Sequence, residues 1–450
     1  MPAIFRTRLS RPVCLALTIV CCTASPLFAM DLLQAYQLAL QNDRQLRAAQ
    51  AQHDAGIEAL PQAASRLYPS LGWSSSRLSV QQDRRDGATQ FPLQRYPSQS
   101  DTLSLRQPLY SPHLEALKLQ AASTALSSSA TLQGEQQNLA VRVTEAYLAV
   151  LLAREREALI KSQIHSAQSR LQAAQKQFTA GVGIRTDIEE IRAQLDVLLA
   201  QALQAAQSIS AAQADLSMLT SQAVTNFFVL DGNSFQSDKL RLGQELAPWL
   251  EMVLQRNHEV RYRQAQRDAA QASLDAANTE DWPNVDAMAQ ISRNSGENAY
   301  FVNSDTKSRT LGVQLNVPLY QGGWFSSRKR QALANLRESQ DLLERAQLLA
   351  QNDAQKAYFA VHEGLARVAA LQNAAASAQL VVTANQKSYR AGVRTTLDIL
   401  AAEQRAAQVA LDLAEARVQC LIAWVRVKAL VAQADENSLR TLSSHLTPSE

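Results

Sequence analysis

Long stretches of this chain set an apolar residue at alternating steps of three and four. From Ile188 the step passes Ile191, Leu195, Leu198, Ala202, Ala205, Ile209, Ala212, Leu216 and Leu219, every one apolar. From Ile399 it passes Ala402, Ala406, Val409, Leu413, Ala416, Cys420, Ala423, Val427 and Leu430. A 3.5-residue repeat held this long predicts helices that supercoil left-handedly around neighbours. A seam of the same step precedes each. One runs from Leu139 through Val150, Ile160 and Leu171 to Phe178, interrupted only by Glu157; the other runs from Ala350 through Val361, Gly364, Val368 and Val382 to Tyr389. Alanine recurs on all four seams, which lets helices approach closely. If helix continues from Pro112 to Phe178, it is roughly 100 Å long at about 1.5 Å per residue. A globular core does not require that length.

The seams are two copies of one unit. Residues 139 to 219 recur as residues 350 to 430, displaced by 211, and pattern is kept better than identity. A fixed displacement marks an internal repeat and dictates architecture. Ala146-Tyr147-Leu148-Ala149-Val150 answers to Ala357-Tyr358-Phe359-Ala360-Val361, and Asp187-Ile188 to Asp398-Ile399. The closest match is a turn, Gln175-Lys176-Gln177-Phe178-Thr179-Ala180-Gly181-Val182 against Gln386-Lys387-Ser388-Tyr389-Arg390-Ala391-Gly392-Val393. Each copy therefore reads as a long antiparallel helical hairpin whose tip is Ala-Gly-Val, with glycine supplying the backbone freedom of a tight reversal. Another helical stretch leads each copy, from Asp31 toward Leu67 and from Ala247 to Glu280. Here the displacement is 214, so the segment that follows is three residues longer in the first copy, as loops permit.

Between the leading helices and the hairpins the period changes to two. Val285, Ala287, Ala289 and Ile291 alternate with Asp286, Met288, Gln290 and Ser292; Leu311, Val313, Leu315 and Val317 alternate with Gly312, Gln314 and Asn316. That is strand patterning with one apolar face. The intervening Arg293 to Arg309 is rich in Asn, Ser, Asp and Gly and reads as an exposed loop. In the first copy Leu71 to Gln81 and Thr102 to Gln107 are noisier strands around a polar loop with Arg84, Arg85, Asp86 and Gly87. Tilted strands of roughly nine to eleven residues cross a bilayer. Four strands cannot close a barrel and open edges are not tolerated in lipid, so spanning strands demand several chains; periodicity alone equally suits a soluble α/β protein with two surface hairpins. Gln107-Pro108-Leu109-Tyr110 and Val317-Pro318-Leu319-Tyr320-Gln321-Gly322-Gly323 end the two β-hairpins, placing Tyr where a membrane interface expects it.

The N-terminus supports export. Residues 1 to 29 hold Arg6, Arg8 and Arg11 without an acid, an apolar run from Val13 to Val20, and Ser25-Pro26-Leu27-Phe28-Ala29, a secretory signal with cleavage after Ala29. The run is too short to span comfortably. Loss of the three arginines takes the formal charge from +3 to zero, which gives no reason to expect nucleic-acid binding. Cys14, Cys21 and Cys22 leave with the signal, so Cys420 is the only thiol of the exported chain and no internal disulfide is possible. Its place on a seam makes it a small core residue. The six histidines show no metal-ligand spacing, and no phosphate loop, nucleophile elbow or paired-carboxylate signature stands out. The chain reads as a non-enzyme that uses no cofactor or metal.

The doubled organisation, the Pro-Leu-Tyr-Gln-Gly-Gly element and the paired turns Phe178-Thr-Ala-Gly-Val and Tyr389-Arg-Ala-Gly-Val-Arg-Thr-Thr-Leu-Asp together resemble one family. The chain is similar over nearly all of its mature length to the TolC-like outer-membrane factors, the exit ducts of Gram-negative efflux pumps and type I secretion systems. The resemblance implies a mainly α fold with membrane β: a trimeric 12-stranded outer-membrane β-barrel continuous with a 12-helix periplasmic α-barrel, with two structural repeats per chain. The division expected is signal 1–29, first repeat 30–220 (β-hairpin about 67–110, helical hairpin about 112–220), equatorial linker 221–246, second repeat 247–430 (β-hairpin about 283–320, helical hairpin about 322–430) and tail 431–450.

The same resemblance implies a homotrimer in outer-membrane lipid, a periplasmic adaptor and an inner-membrane ABC or proton-driven transporter. The adaptor would dock on the tips at Gly181, Val182, Gly392 and Val393. The family closes its periplasmic end with polar contacts between tips, which by motif position carry over to Asp187, Tyr389 and Arg394, with Asp398 lining the narrowest ring. Three converging Asp398 carboxylates would bind cations. A second acidic ring common in the family falls here on Ala401, which implies weaker cation affinity. Read from the residues alone, Asp187 and Asp398 equally suit the first turn of a helix. Drug efflux and protein export are not separated by the sequence, and a periplasmic coiled-coil adaptor shares the heptads and the signal.

Overall fold

The computed structural model describes residues 30–450 apart from 84, 223–227, 230–234, 244, 299–300 and 449–450. The signal segment and Arg84 lie outside these residues. Three short helices lead the chain, α1 (Leu32–Asn42), α2 (Arg44–Ile57) and α3 (Ala59–Ser65). The first β-hairpin follows, β1 (Ser70–Gln82) and β4 (Gln94–Tyr110), capped by a minor ribbon of β2 (Arg85–Asp86) and β3 (Thr89–Gln90). Then come α4 (Pro112–Thr179) and α5 (Arg185–Thr220), of 68 and 36 residues. After β5 (Phe228–Val229) and a 3₁₀ turn at Ser237–Leu240, the second copy repeats the plan. It comprises α6 (Ala247–Arg256), α7 (His258–Thr279), β6 (Asn284–Asn298), β7 (Phe301–Asn316), α8 (Trp324–Arg390) and α9 (Thr396–Leu430), closed by α10 (Glu436–Ser443) and β8 (Thr447–Pro448).

The heptad seams are the buried lines of the long helices. Leu139, Val143, Val150, Ile160 and Ala167 of α4 are buried, as are Ile188, Ile191, Leu198, Ala205, Leu216 and Leu219 of α5. In the second copy Val361, Val368 and Val382 of α8 face Ile399, Ala402, Leu413, Ala416, Cys420 and Val427 of α9. Small residues meet where the backbones come closest: a Cβ on Gly364 would lie 3.3 Å from Cys420 Cβ and 3.4 Å from its Sγ. Each seam is only one narrow stripe, and apolar side chains such as Leu199, Leu203, Leu348 and Leu380 are left exposed on other faces. A helix wall that continues into further copies has this character.

One conserved-by-duplication tyrosine ties each hairpin to its surround. The hydroxyl of Tyr147 donates to Met30 O at 2.7 Å and accepts from Phe228 N at 3.3 Å, while Tyr358, 211 residues on, donates to Gly243 O at 2.6 Å. The linker and the tail also meet, through the β5–β8 ladder and the bond from Gln236 N–H to His445 Nδ1 at 3.1 Å.

The four long strands form one antiparallel sheet in the order β1-β4-β6-β7, with β1 and β7 at its edges. Register aligns Leu71, Leu105, Ala289 and Leu311 in one row and Trp73, Leu103 and Ile291 in the next. The opposite face carries rows such as Gly72, Ser104, Gln290 and Thr310. Apolar out and polar in is the alternation of a membrane barrel with a wet lumen. Tyr68, Tyr110, Trp282, Tyr320 and Trp324 are exposed at the helix end of the sheet, an aromatic girdle. No helix among the described residues is long and apolar enough to cross a membrane.

The loop expected at Arg293 to Arg309 is corrected by the pairing. Register continues through Arg293↔Lys307 and Asn294↔Thr306 to Asn298↔Phe301, so most of that segment is strand. Likewise β4 starts at Gln94, not near Thr102. Beyond the lipid both faces of a strand meet water, so the apolar alternation that betrays a strand disappears while its backbone bonding persists.

Burial pushes the Cys420 thiol up to about 11. The folded protein should therefore resist maleimide at pH 8 and react once denatured; rapid labelling of the native protein would show that the α8–α9 seam opens.

Candidate functional site at the hairpin tips

Both tips are built by the same backbone device. Ala180 and Ala391 cap α4 and α8, and the following Gly181 and Gly392 take φ of 76° and 75°. Val182 N–H bonds Gln177 O at 3.0 Å and Gly181 N–H bonds Phe178 O at 3.0 Å; Val393 to Ser388 and Gly392 to Tyr389 repeat the pattern at 3.0 and 2.9 Å. This is the Schellman arrangement, and its left-handed position is open to glycine at little cost. The valine that follows finds no cover: Val182 and Val393 are 80% and 77% exposed. Ile184 and Leu397 are exposed beside them. Each tip thus presents an apolar knob with its own polar backbone already satisfied.

Behind the knobs lie the polar residues. Asp398 occupies the third position of α9, where Thr395 and Asp398 form a capping box: Asp398 Oδ2 accepts from Thr395 N at 2.9 Å and from its hydroxyl at 3.0 Å. Arg394 Nη1 reaches Asp398 Oδ1 at 3.4 Å. The Thr395 bonds, then the Arg394 charge, hold the Asp398 carboxyl below the usual carboxylate range. Tyr389 donates to Gln177 Oε1 on the other tip at 3.4 Å. Asp187 lies in the first turn of α5, and among the described residues no bond or ion pair joins it to Tyr389 or Arg394 within the chain. The structure therefore brings Arg394 to Asp398 and Tyr389 to Gln177.

A cross-link that sequence reasoning missed lies deeper between the hairpins. Glu403 of α9 accepts from Arg170 and, at 3.1 Å, from the Ser166 hydroxyl, both on α4; Gln386 of α8 donates to the same carboxylate at 3.3 Å. Arg170 and Glu403 are each largely shielded, with side chains 17% and 20% exposed. One carboxylate thereby ties three helices. Its signal in the sequence is slight: Arg170 and Glu403 each sit one residue off a seam, at Leu171 and Ala402, with opposite charge.

Comparison with known proteins decides what this architecture is. The sequence profile of the outer membrane efflux protein family matches residues 35–222 and 249–433, one match in each copy. The chain belongs to this family. The alkaline protease secretion protein AprF of Pseudomonas aeruginosa is 31% identical over 430 residues, covering 94% of this chain and 89% of that protein. The proteases secretion protein PrtF of Dickeya chrysanthemi is 28% identical over 423 residues, covering 92% and 91%. Among solved structures the channel CusC superposes with a TM-score of 0.78 at 17% identity, over 90% of this chain and 93% of that one, which speaks for the fold. This outer membrane efflux protein is accordingly an outer-membrane exit duct with its helical part in the periplasm. Both of these relatives are named for secretion, neither for a reaction. The reading as a periplasmic adaptor is set aside by this match and by the four-stranded sheet.

Two outcomes test the site's physics. Glu403→Gln should loosen the hairpins by about 1–3 kcal/mol and speed tryptic cleavage at Arg185, Arg390 or Arg394; unchanged cleavage would mean that the Arg170 cross-link does not hold the tips. Because the folded Asp398 carboxyl is depressed, its contribution is complete above the ordinary carboxylate range and is lost as pH falls through the folded value. Read with pepsin, since trypsin is inactive in acid, cleavage at the tips should therefore accelerate below about pH 4 in the wild type relative to Asp398→Asn.

Proposed function

We propose that the chain is the exit duct of a type I system whose cargo is a protein, assembled as a homotrimer and fed by an adaptor and an inner-membrane ABC transporter. The observation that carries this reading is the end-to-end match to AprF, a protein named for secretion of a protease. PrtF, named for the same work, supports it. No energy source is needed in the chain itself: cargo is driven from the inner membrane and the duct only opens.

In this reading three copies bring their tips together at the periplasmic end. Asp398 from each forms the narrowest ring, already ionised and held in place by Thr395. The fork of Arg394 and the carboxylate of Asp187 then pair between neighbouring chains, and Tyr389 keeps the two tips of one chain in step through Gln177. The exposed Val182 and Val393, set out by Gly181 and Gly392, are the surface on which the adaptor docks. Opening is a rotation of the second hairpin outward that breaks these contacts and the Arg170–Glu403 cross-link. Drug efflux shares this gate and differs only in the pump that meets it.

The decisive experiment is to supply this chain to Pseudomonas aeruginosa lacking AprF, with the alkaline protease measured in the medium. Restored secretion supports a protein duct; a folded outer-membrane trimer that secretes nothing yet restores dye efflux in a strain lacking its efflux duct would favour small molecules. In planar bilayers, single channels of the wild type should be small and cation-selective. Arg394→Ser should raise conductance several-fold and Asp398→Ala should abolish selectivity; identical currents in all three would remove these residues from the gate.

A further inference from the structure

The register of the sheet sorts its charges. Arg106 and Asp286, paired at 2.7 Å, lie on the polar face, but the charges that border the apolar band lie on the lipid side. Arg309 pairs in register with Ile291, in the last apolar row, and the next row outward is Ser75, Asp101, Arg293 and Lys307. The row beyond contains Arg77 and Asp305. Both acids are already engaged, Asp101 by Arg77 at 3.2 Å and Asp305 by Arg293 at 2.8 Å. Among the described residues neither Lys307 nor Arg309 makes an ion pair, although Lys307 lies near enough for its charge to act on Asp305, and both are exposed.

Both residues lie on β7, an edge strand whose free side must pair with β1 of the next copy. That strand, Ser70–Gln82, contains Arg77 and no acid, the first acid beyond it being Asp83 at its outer end. Two cations per chain therefore face outward where the apolar band ends, at the end of the sheet away from the periplasmic helices. A cation so placed needs an anion from the membrane itself.

We propose that Lys307 and Arg309 bind phosphate groups of the phosphorylated glycolipid of the outer leaflet. The guanidinium offers a two-pronged donor matched to phosphate and the ammonium a compact charge beside it. This rests on the outer-membrane placement and is independent of cargo and gate. The apolar band continues directly into the site, so one lipid can bury its chains and seat its headgroup together.

The test reconstitutes the whole trimer with lipid A carrying its phosphates, or with the same lipid A dephosphorylated, and measures lipid retained after gel filtration in detergent. Wild-type protein should retain the phosphorylated form about tenfold better, and Lys307→Gln/Arg309→Gln should erase that preference while remaining a heat-modifiable oligomer. Equal retention of the two lipids by the wild type, a comparison that needs no variant to fold, would overturn the proposal. So would a preference that survives in the folded double variant. Inorganic phosphate is the competing probe: if it binds the lipid-free trimer as tightly as the glycolipid does, the site takes free anions and the assignment to lipid fails.

Discussion

Two unpaired strand edges govern this molecule. A sheet ordered β1-β4-β6-β7 leaves the free backbone groups of β1 and β7 without partners in the chain. In hydrocarbon each such group costs several kcal/mol, so the sheet cannot enter a membrane alone and must close on copies of itself. Four strands per chain and three chains make a twelve-stranded wall. Much else follows from that closure. The helices that continue from the strands must also form a wall, which explains seams too narrow to bury a helix completely and the apolar residues left on their other faces. The tips at the far end of those helices must then converge with those of the other copies.

The duplication shows how two copies of one unit meet the same demand by different chemistry. Asn257 caps α7 by accepting from Glu259 N and Val260 N, and its amide donates to Leu430 O at 3.1 Å. The first copy divides this work: Asp43 caps α2 through Gln45 N and Leu46 N, and the neighbouring Asn42 donates to Thr220 O at 3.1 Å. A buried carboxylate now replaces a neutral amide, and a charge brought so far from water must be matched. Arg142 supplies the match at 2.9 Å. In the second copy the position 211 residues on is Asp353, where no cation is needed because the cap is neutral. The copies keep geometry and exchange electrostatics.

What could be read from the sequence follows the same division. Seams were legible because every third or fourth residue repeats one physical requirement, and a single polar intruder such as Glu157 cannot hide it. Cys420 was placed correctly for that reason. The membrane part of each strand was legible from alternation between Val285 and Ile291, and the wet part from Arg293 onward was not, because a strand with water on both faces has no sequence period to show. The tips were legible as turns, since Gly181 and Gly392 meet a backbone need. The partners of the polar residues were harder. Arg170 and Glu403 are 233 residues apart and neither breaks a pattern.

The two polar layers at the tips differ in reach. The Thr395–Asp398 capping box and the Schellman turns are local bonds, complete within a few residues, and they persist whatever the hairpins do. The Tyr389–Gln177 and Arg170–Glu403 contacts join separate helices and are lost wherever those helices part. A largely shielded ion pair offers modest net stability when made but is costly to leave half-made, so the separation of α9 from α4 favours two states, engaged or fully parted and hydrated, over a continuum. The local bonds keep each tip intact in either state. On the reading proposed above, those two states are the closed and the open duct, and the local bonds give an adaptor a rigid tip to draw on.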